Sequence, residues 1–363
     1  MRHRSLVESE ALALSDGLSA LSPAYEQEAA FPHSSFSLLS KSPLGSHPPL
    51  DPADVLTLLR LLAAVGRGDL SVGRIYEGHV NALLLIRSFG TERQHTLIGN
   101  SANLGHWFGV WNTDAPDRPL CETGGTLHGA KNFASGVDGL NQAIVTAPCD
   151  GGRQMFLVPL ADLPVDRNWW DPMGMRGSGS HVVDFTGFEI TADHRLGRPG
   201  DYIREPWFSG GAIRFAAVQT GGLHAVFDIA LDHLKRTGRA GDPYQAHRLA
   251  QMGIAVESAY GWLAKAARAW SAAASDPDDI SAGRRLVAVS QATRSAIEAF
   301  ALAVLEDAER AVGAAGFNRP HPLERRIRDL RTYLRQPNPD GALRSLGNAI
   351  AADDWAPGRW SRS

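Results

Sequence analysis

Cysteine is nearly absent: Cys121 and Cys149 are the only two in 363 residues, too few for a disulfide framework and without the clustering of a metal site. Long hydrophobic runs are missing as well. No apolar stretch approaches the roughly 18 residues of a membrane span. The start Met1-Arg-His-Arg-Ser5 lacks the apolar core of a secretory signal, so the expected compartment is the cytoplasm. Nor is charge of one sign in excess. With 36 Lys and Arg against 39 Asp and Glu the net charge is −3, which offers no bulk attraction to nucleic acid or to an anionic membrane. An anionic ligand therefore has to be met by local groups. What the chain does have is an ordinary globular composition, 44% apolar and 21% charged, and enough length for two or three packed units.

Hydrophobic periodicity divides the chain in three. Up to about residue 95 the pattern is helical but interrupted, because a Ser/Pro/Gly-rich connector from Ser35 to Pro52 cannot be one long helix. Beyond it, Asp54 to Val65 repeats apolar residues at helical spacing and stops at Gly66, and a second helix is expected from Ser71 to Phe89, stopping at Gly90. Past Asn100 the texture changes to short β-type runs, Gln142–Ala147, Gln154–Pro159 and His181–Ile190, punctuated by Gly, Pro and Asp. These predict an antiparallel β unit. After about Tyr202, long Ala/Leu-rich stretches around Ile213–Thr237, Tyr244–Ala274, Ser281–Gly313 and Leu343–Ala352 predict a four-helix bundle. Strands confined to the middle of the chain argue for segregated α and β domains, an α+β architecture, and against a wound α/β sheet. The expected domains are 1–95, helical; 96–201, β; and 202–363, a helical bundle.

Four segments carry a more specific signal. One reads Gly129-Ala-Lys131-Asn-Phe133-Ala134-Ser135-Gly136-Val-Asp138, and a second reads Gly174-Met-Arg176-Gly177-Ser178-Gly-Ser180 and runs into Asp184-Phe185-Thr-Gly-Phe-Glu-Ile190. A third is Val312-Gly313-Ala-Ala-Gly316-Phe317-Asn318 followed by Pro322-Leu-Glu324-Arg325 and Arg328-Asp329; the fourth is His79-Val-Asn81 with Phe89-Gly-Thr-Glu-Arg-Gln94. In this order they resemble the acyl-CoA dehydrogenase superfamily of flavoenzymes, over about Asp54 to Ile350. The resemblance implies an N-terminal helical domain, a middle antiparallel β-barrel-like domain, a C-terminal four-helix bundle and FAD as cofactor. It also implies a homodimer or homotetramer, since the cofactor site of the family is usually completed across subunits. A flavin takes hydride at N5, so the protein must hold the ring edge and supply hydrogen bonds to it. By resemblance Ser135 stands near N5, Phe133 and Ala134 lie along the ring, and the backbone of Val110, Trp111 and Thr113 meets the pyrimidine side. Arg239 and Gln245 occupy the family's diphosphate-binding element in a shortened form, and Gly313 belongs to its glycine loop. Arg310 stands where the family usually has Gln.

The family's catalytic base is missing. Dehydrogenation of an acyl thioester needs a carboxylate within reach of the α carbon. At the usual position, counted from Arg328-Asp329, this chain has Gln336-Pro337-Asn338, and at the minority position, just before the retained Arg214, it has Ile213. Three readings follow. Asp340, swung inward by the Pro337-Asn338-Pro339 turn, acts with Arg214 in an acyl-CoA dehydrogenase-like oxidoreductase that passes hydride from an acyl substrate to flavin. Alternatively the chain is a flavin-dependent monooxygenase of the same fold, which needs no such base because a C4a-hydroperoxyflavin does the chemistry; Phe133-Ala-Ser135-Gly-Val-Asp138 fits that branch, with His79 or His106 as acid or base. The third reading is a protein that binds flavin or an acyl ligand without turnover. The family's Thr-Glu-Pro-x-x-Gly-Ser-Asp loop is replaced by Val110-Trp111-Asn112-Thr113-Asp114-Ala-Pro116. That drift argues against a standard fatty acyl-CoA and leaves a small acyl or aromatic substrate.

Overall fold

The computed structural model describes residues 2–26, 29–335 and 338–358. Its first six helices are α1 (Arg2–Glu26), α2 (His33–Lys41), α3 (Pro43–Ser46), α4 (Val55–Gly68), α5 (Leu70–Phe89) and α6 (Glu92–Asn103). The strands follow: β1 (Phe108–Trp111), β2 (Cys121–Thr123), β3 (Thr126–His128), β4 (Ala130–Ala134), β5 (Gln142–Cys149), β6 (Gly152–Pro159), β7 (Val165–Asp166), β8 (His181–Asp184), β9 (Phe188–Glu189) and β10 (Arg195–Leu196). The chain ends in α7 (Trp207–Arg236), α8 (Pro243–Ser275), α9 (Ile280–Val312), α10 (Pro322–Tyr333) and α11 (Pro339–Ala351). No described helix is long and apolar enough to cross a membrane.

Elements with strong periodicity stand where the sequence predicts them. The Ser/Pro/Gly-rich connector holds most of the short helix α2 and all of α3, and Ser42 caps α3 by accepting from the Gly45 amide. Helix α10 lies between the third and fourth predicted bundle helices. Its Leu323, Ile327 and Leu330 are buried at helical spacing, but the charged residues around them hide it from an Ala/Leu-rich criterion. By packing, the chain forms two compact units, Met1–Leu50 with Ser71–Phe208, and Asp51–Leu70 with Ser209–Ser363. The N-terminal helices and the β region thus share one unit, α4 goes with the C-terminal helices, and the division expected at residue 95 falls inside the first unit.

In the first unit the strands form three small sheets, ordered β1-β5-β6-β10, β2-β3-β9 and β4-β8-β7. They are not closed into a single barrel, and one pairing departs from the antiparallel expectation. Strand β1 runs parallel to β5, from Phe108 opposite Gln142 to Trp111 opposite Val145. A parallel pair needs a long crossover, and residues 112–141 with β2, β3 and β4 supply it. Residues Ala143 to Ala147 of β5 are all buried, because both faces of this strand are covered. One face of the sheet packs Phe108, Val110, Ile144, Met155 and Leu157 against Ala82, Leu85 and Ile86 of α5.

The second unit is built on a close helix crossing. A Cβ placed on Gly221 of α7 would lie 2.0 Å from the Ala63 carbonyl oxygen, and one on Gly66 of α4 would lie 2.3 Å from that of Val218. Backbone therefore meets backbone. Arg67 of α4 pairs with Asp228 of α7 at 2.6 Å. At the end of α4, Arg326 Nη2 donates to the Gly68 carbonyl at 2.6 Å and Arg325 pairs with the buried Asp69 at 2.6 Å. Helices α8 and α9 are started by Asp242 and Asp279, each accepting from two backbone amides.

Gly221→Ala is expected to lower stability by roughly 1–3 kcal/mol, the cost of overpacking, because neither backbone can yield. Gly253→Ala on α8, where a Cβ meets open space, should instead hold or raise the melting temperature, since Ala is the better helix former. Calorimetry on the two variants checks both; equal effects would mean the crossing is not backbone-limited.

Candidate functional site

In the first unit the predicted contact residues converge on the end of β4. Strand β4 pairs with β8 through Lys131 opposite Val183 and Ala134 opposite His181, so the register slips between Lys131 and Ala134. The extra residue forms a β-bulge, and Phe133 takes the left-handed region with φ 52°. The bulge leaves the Phe133 ring half-buried, edge-on to Trp169 at 4.9 Å and to Trp170 at 6.1 Å. It also turns Ser135 inward. The Ser135 hydroxyl, 6% exposed, lies 2.8 Å from that of Ser180, which lies 2.8 Å from that of Ser178. Trp111 Nε1 donates to the Ser135 carbonyl at 3.3 Å, and the Asn132 amide donates to the Thr113 carbonyl at 3.1 Å. These bonds tie the Trp111–Thr113 segment to the Asn132–Ser135 segment, and Val110 and Ala134 beside them are buried.

Two charged networks hold this corner. Lys131 is fully buried and donates to the Asn112 carbonyl at 3.0 Å and to Asp114 at 2.5 Å. Arg153 closes the network on Asp114 at 3.1 Å. The same contact acts differently on its two partners. Burial pushes the Lys131 ammonium down to about 8 and outweighs the pull of Asp114. Burial also pushes the more open Asp114 carboxyl up, but Lys131 and Arg153 outweigh it and hold it below the usual range. The second network is Arg167, Asp138 and His181. Arg167 donates to Asp138 at 2.7 and 3.0 Å, and His181 Nε2 lies 3.4 Å from the other carboxylate oxygen. The hydrogen bond from His181, then that from Arg167, holds the Asp138 carboxyl below the usual range.

Of the remaining sequence candidates, His79 and His106 lie in the first unit, where His79 Nδ1 accepts from the Phe108 amide at 3.2 Å, and the others lie in the second. Arg214 is buried on α7, its guanidinium 5.3 Å from the Trp270 ring, and Ile213 before it is fully buried. Arg239 is exposed beyond α7, and the Asp242 amide donates to its carbonyl at 3.1 Å. Gln245 is buried in the first turn of α8, and its Oε1 has no partner among the described residues. Gly313, with φ 76°, caps α9; Arg310 pairs with Glu306 at 2.6 Å. Asp340 is exposed in the first turn of α11, where Asn338 provides the cap. Gln336 and Pro337, at the family's base position, lie outside the described residues. Sequence reasoning did not assign Ser178, Ser180, His181, Asp138, Arg167, Trp169 or Trp170 to the site. The first four belong to motifs already quoted, and their spacing there was the available signal.

Comparison with known proteins agrees with this architecture. Residues 201–334 match the family model of the acyl-CoA dehydrogenase C-terminal domain. Over 339 residues the chain is 23% identical to a dibenzothiophene monooxygenase of Mycolicibacterium goodii, covering 82% of this chain and 81% of that one. The structure of TdsC from Paenibacillus sp. A11-2 with FMN and indole superposes with a TM-score of 0.86 at 18% identity, over 98% of this chain and 99% of that one. Butyryl-CoA dehydrogenase from Megasphaera elsdenii superposes with a TM-score of 0.78 at 19% identity, over 95% and 98%. The chain therefore has the fold of the acyl-CoA dehydrogenase superfamily of flavoenzymes, and its residues 201–334 carry the C-terminal domain of that family.

Proposed function

We propose that the protein is a flavin-dependent monooxygenase acting on a small aromatic substrate. The observation that carries this reading is the chain of three hydroxyls, Ser135, Ser180 and Ser178, at the bulge. Two links among three hydroxyls use two protons. When Ser178 donates to Ser180 and Ser180 to Ser135, the Ser135 proton is left for a ligand, because its alternative acceptor, the Phe133 carbonyl, is 3.5 Å away. Each donated bond polarises the next, so Ser135 presents a strengthened donor. The surroundings fit a flavin. Phe133 and the paired Trp169 and Trp170 rings, 6.1 Å apart, offer flat apolar surface. Asn132 Oδ1 and Trp170 Nε1 are buried polar atoms without a partner among the described residues. A reduced flavin held here would supply the electrons that activate dioxygen. The residues themselves would orient the ring edge, donate one hydrogen bond from Ser135, and exclude water around the buried serines.

Two further points support the reading. The M. goodii relative, matched along most of both chains, is a monooxygenase. Ile213 is a buried aliphatic side chain where a dehydrogenase of the minority type needs a carboxylate. TdsC is described with FMN, whereas Arg239 and Gln245 would serve the diphosphate of FAD, so the two flavins are to be compared directly. The dehydrogenase reading is favoured by the C-terminal family match and requires Asp340 to act as the base from its exposed turn.

With reduced flavin and 18O-labelled dioxygen, the protein is expected to place one labelled oxygen in dibenzothiophene or indole. Unlabelled product, together with anaerobic bleaching of the flavin by butyryl-CoA, would sink the monooxygenase reading. Under that outcome Asp340→Asn should abolish bleaching; retained bleaching removes Asp340 as the base. Ser135→Ala should lower oxygenated product per flavin oxidised on the order of tenfold or more, the worth of one hydrogen bond to a charged partner, with hydrogen peroxide rising to match. Ser180→Ala should act in the same direction but less. If both variants keep wild-type coupling, the hydroxyl chain has no part in the chemistry. Arg239→Ala should weaken FAD and spare FMN if Arg239 meets the diphosphate, as read by flavin fluorescence titration.

A further inference from the structure

A cavity of about 300 Å³ lies in the first unit, lined by Ser40, Ser46, Leu83, Leu104, Trp107 and Phe108 together with His79, Gly105 and His106. Four of the lining residues, His79, His106, Trp107 and Phe108, present rings. The Trp107 indole stands edge-on to His79 at 4.7 Å and to Phe36 at 4.9 Å, and His79 stacks on Phe108 at 5.8 Å. Neither carboxylate, ammonium nor guanidinium lines it.

His79 gives this cavity its one directional group. The side chain is 4% exposed. Its Nδ1 accepts from the Phe108 amide at 3.2 Å, and burial pushes the imidazole down to about 3, so the ring is neutral and its single proton sits on Nε2. Among the described residues no acceptor is found for that proton. An acceptor held in the cavity would take that proton, and one such hydrogen bond is worth about 0.5–1.5 kcal/mol. The serines do not compete, since Ser40 donates to the Ser37 carbonyl and Ser46 to that of Ser42.

We propose that this cavity is a binding site for a small, neutral, aromatic ligand of one or two rings that carries a hydrogen-bond acceptor, received by His79 Nε2–H. The volume is at the lower end for a small-molecule site, ring walls favour edge-on and offset aromatic contacts, and an uncharged lining excludes an ion. The site stands apart from the bulge. Phe108 begins β1 and Trp111 ends it, and at about 3.3 Å per residue that separation is roughly 10 Å along the strand. The proposal therefore does not rest on the flavin reading.

The test uses the full-length protein and two probes of one shape: acetophenone, with a carbonyl acceptor, and ethylbenzene, without it. Acetophenone is expected to shift the 15N-histidine resonance of His79 Nε2, assigned by its loss in His79→Asn. It should bind about tenfold more tightly than ethylbenzene, the factor that one recovered hydrogen bond supplies. His79→Asn keeps an acceptor for the Phe108 amide and should abolish that preference. Leu83→Trp fills the cavity while leaving the His79 to Phe108 bond, and should abolish binding of both probes. The proposal is overturned if acetophenone leaves the His79 resonance unmoved at its solubility limit, if Leu83→Trp binds it unchanged, or if the two probes bind the wild type equally.

Discussion

The candidate site depends on one backbone event, the slip of register between Lys131 and Ala134. A regular β4 would alternate its side chains strictly, and Phe133 and Ser135 would share one face. The extra residue, held at a positive φ in Phe133, breaks that alternation. It leaves the ring half-buried against the tryptophans while the serine hydroxyl is buried against Ser180. A non-glycine residue in this region costs on the order of 1 kcal/mol. Backbone bonds flank it on both sides: the Asn132 amide donates to the Thr113 carbonyl at 3.1 Å, and the Gly136 amide to the Ser178 carbonyl at 2.8 Å.

The charged groups around the bulge are best understood as its anchors. Lys131 precedes it and is pinned through Asp114 to Arg153 on β6, whose guanidinium also reaches Thr146 of β5 at 3.1 Å. Asp138 follows it and is pinned through His181 to the first residue of β8. A slipped strand is prone to slide back, because a register is weakly specified wherever the side-chain pattern is broken. Ion pairs on both sides prevent this. They are partly buried, so each removes an option for its partner: Lys131 cannot leave Asp114 without stranding a charge in the interior.

How much of this was legible varies with the range of the interaction. Helices α4, α5 and α7 to α9 and the hairpin strands β5 and β6 are local patterns, and the sequence shows where they lie, although α7 begins at Trp207 and not at Ile213 and α4 runs on to Gly68. The parallel pairing of β1 with β5 was not readable, because it depends on a partner more than thirty positions away and β5 itself reads as an unbroken apolar run. Gly66 looks in sequence like a helix stop; in the fold it lies inside α4 and forms, with Gly221 of α7, the two halves of one crossing. At the site, Phe133 and Ser135 could be named from a motif, but the hydroxyl partners could not be joined to them. Ser180 lies 45 positions away, and only the β4–β8 pairing brings it near. Arg239, Gln245, Gly313 and Asp340 were named by the same kind of motif reading, and of these only Arg239 and Gln245 stand close in the chain, through the Asp242 turn.

The contrast between fold and reaction has a physical cause. The superfamily's architecture is maintained by dispersed terms, such as the α5 packing under β1, β5 and β6 and the α4–α7 crossing, none of which touches a reacting atom. Loss of a single carboxylate leaves all of them intact. Ile213 illustrates this: as a fully buried aliphatic residue beside the buried Arg214, it packs well and costs the fold nothing. Restoring a carboxylate there would bring a desolvation penalty that only a precise partner could offset. The hydroxyl chain at the bulge, by contrast, holds two internal bonds among three hydroxyls and leaves one proton to donate. A site so arranged favours holding and orienting a ligand over drawing a proton from carbon.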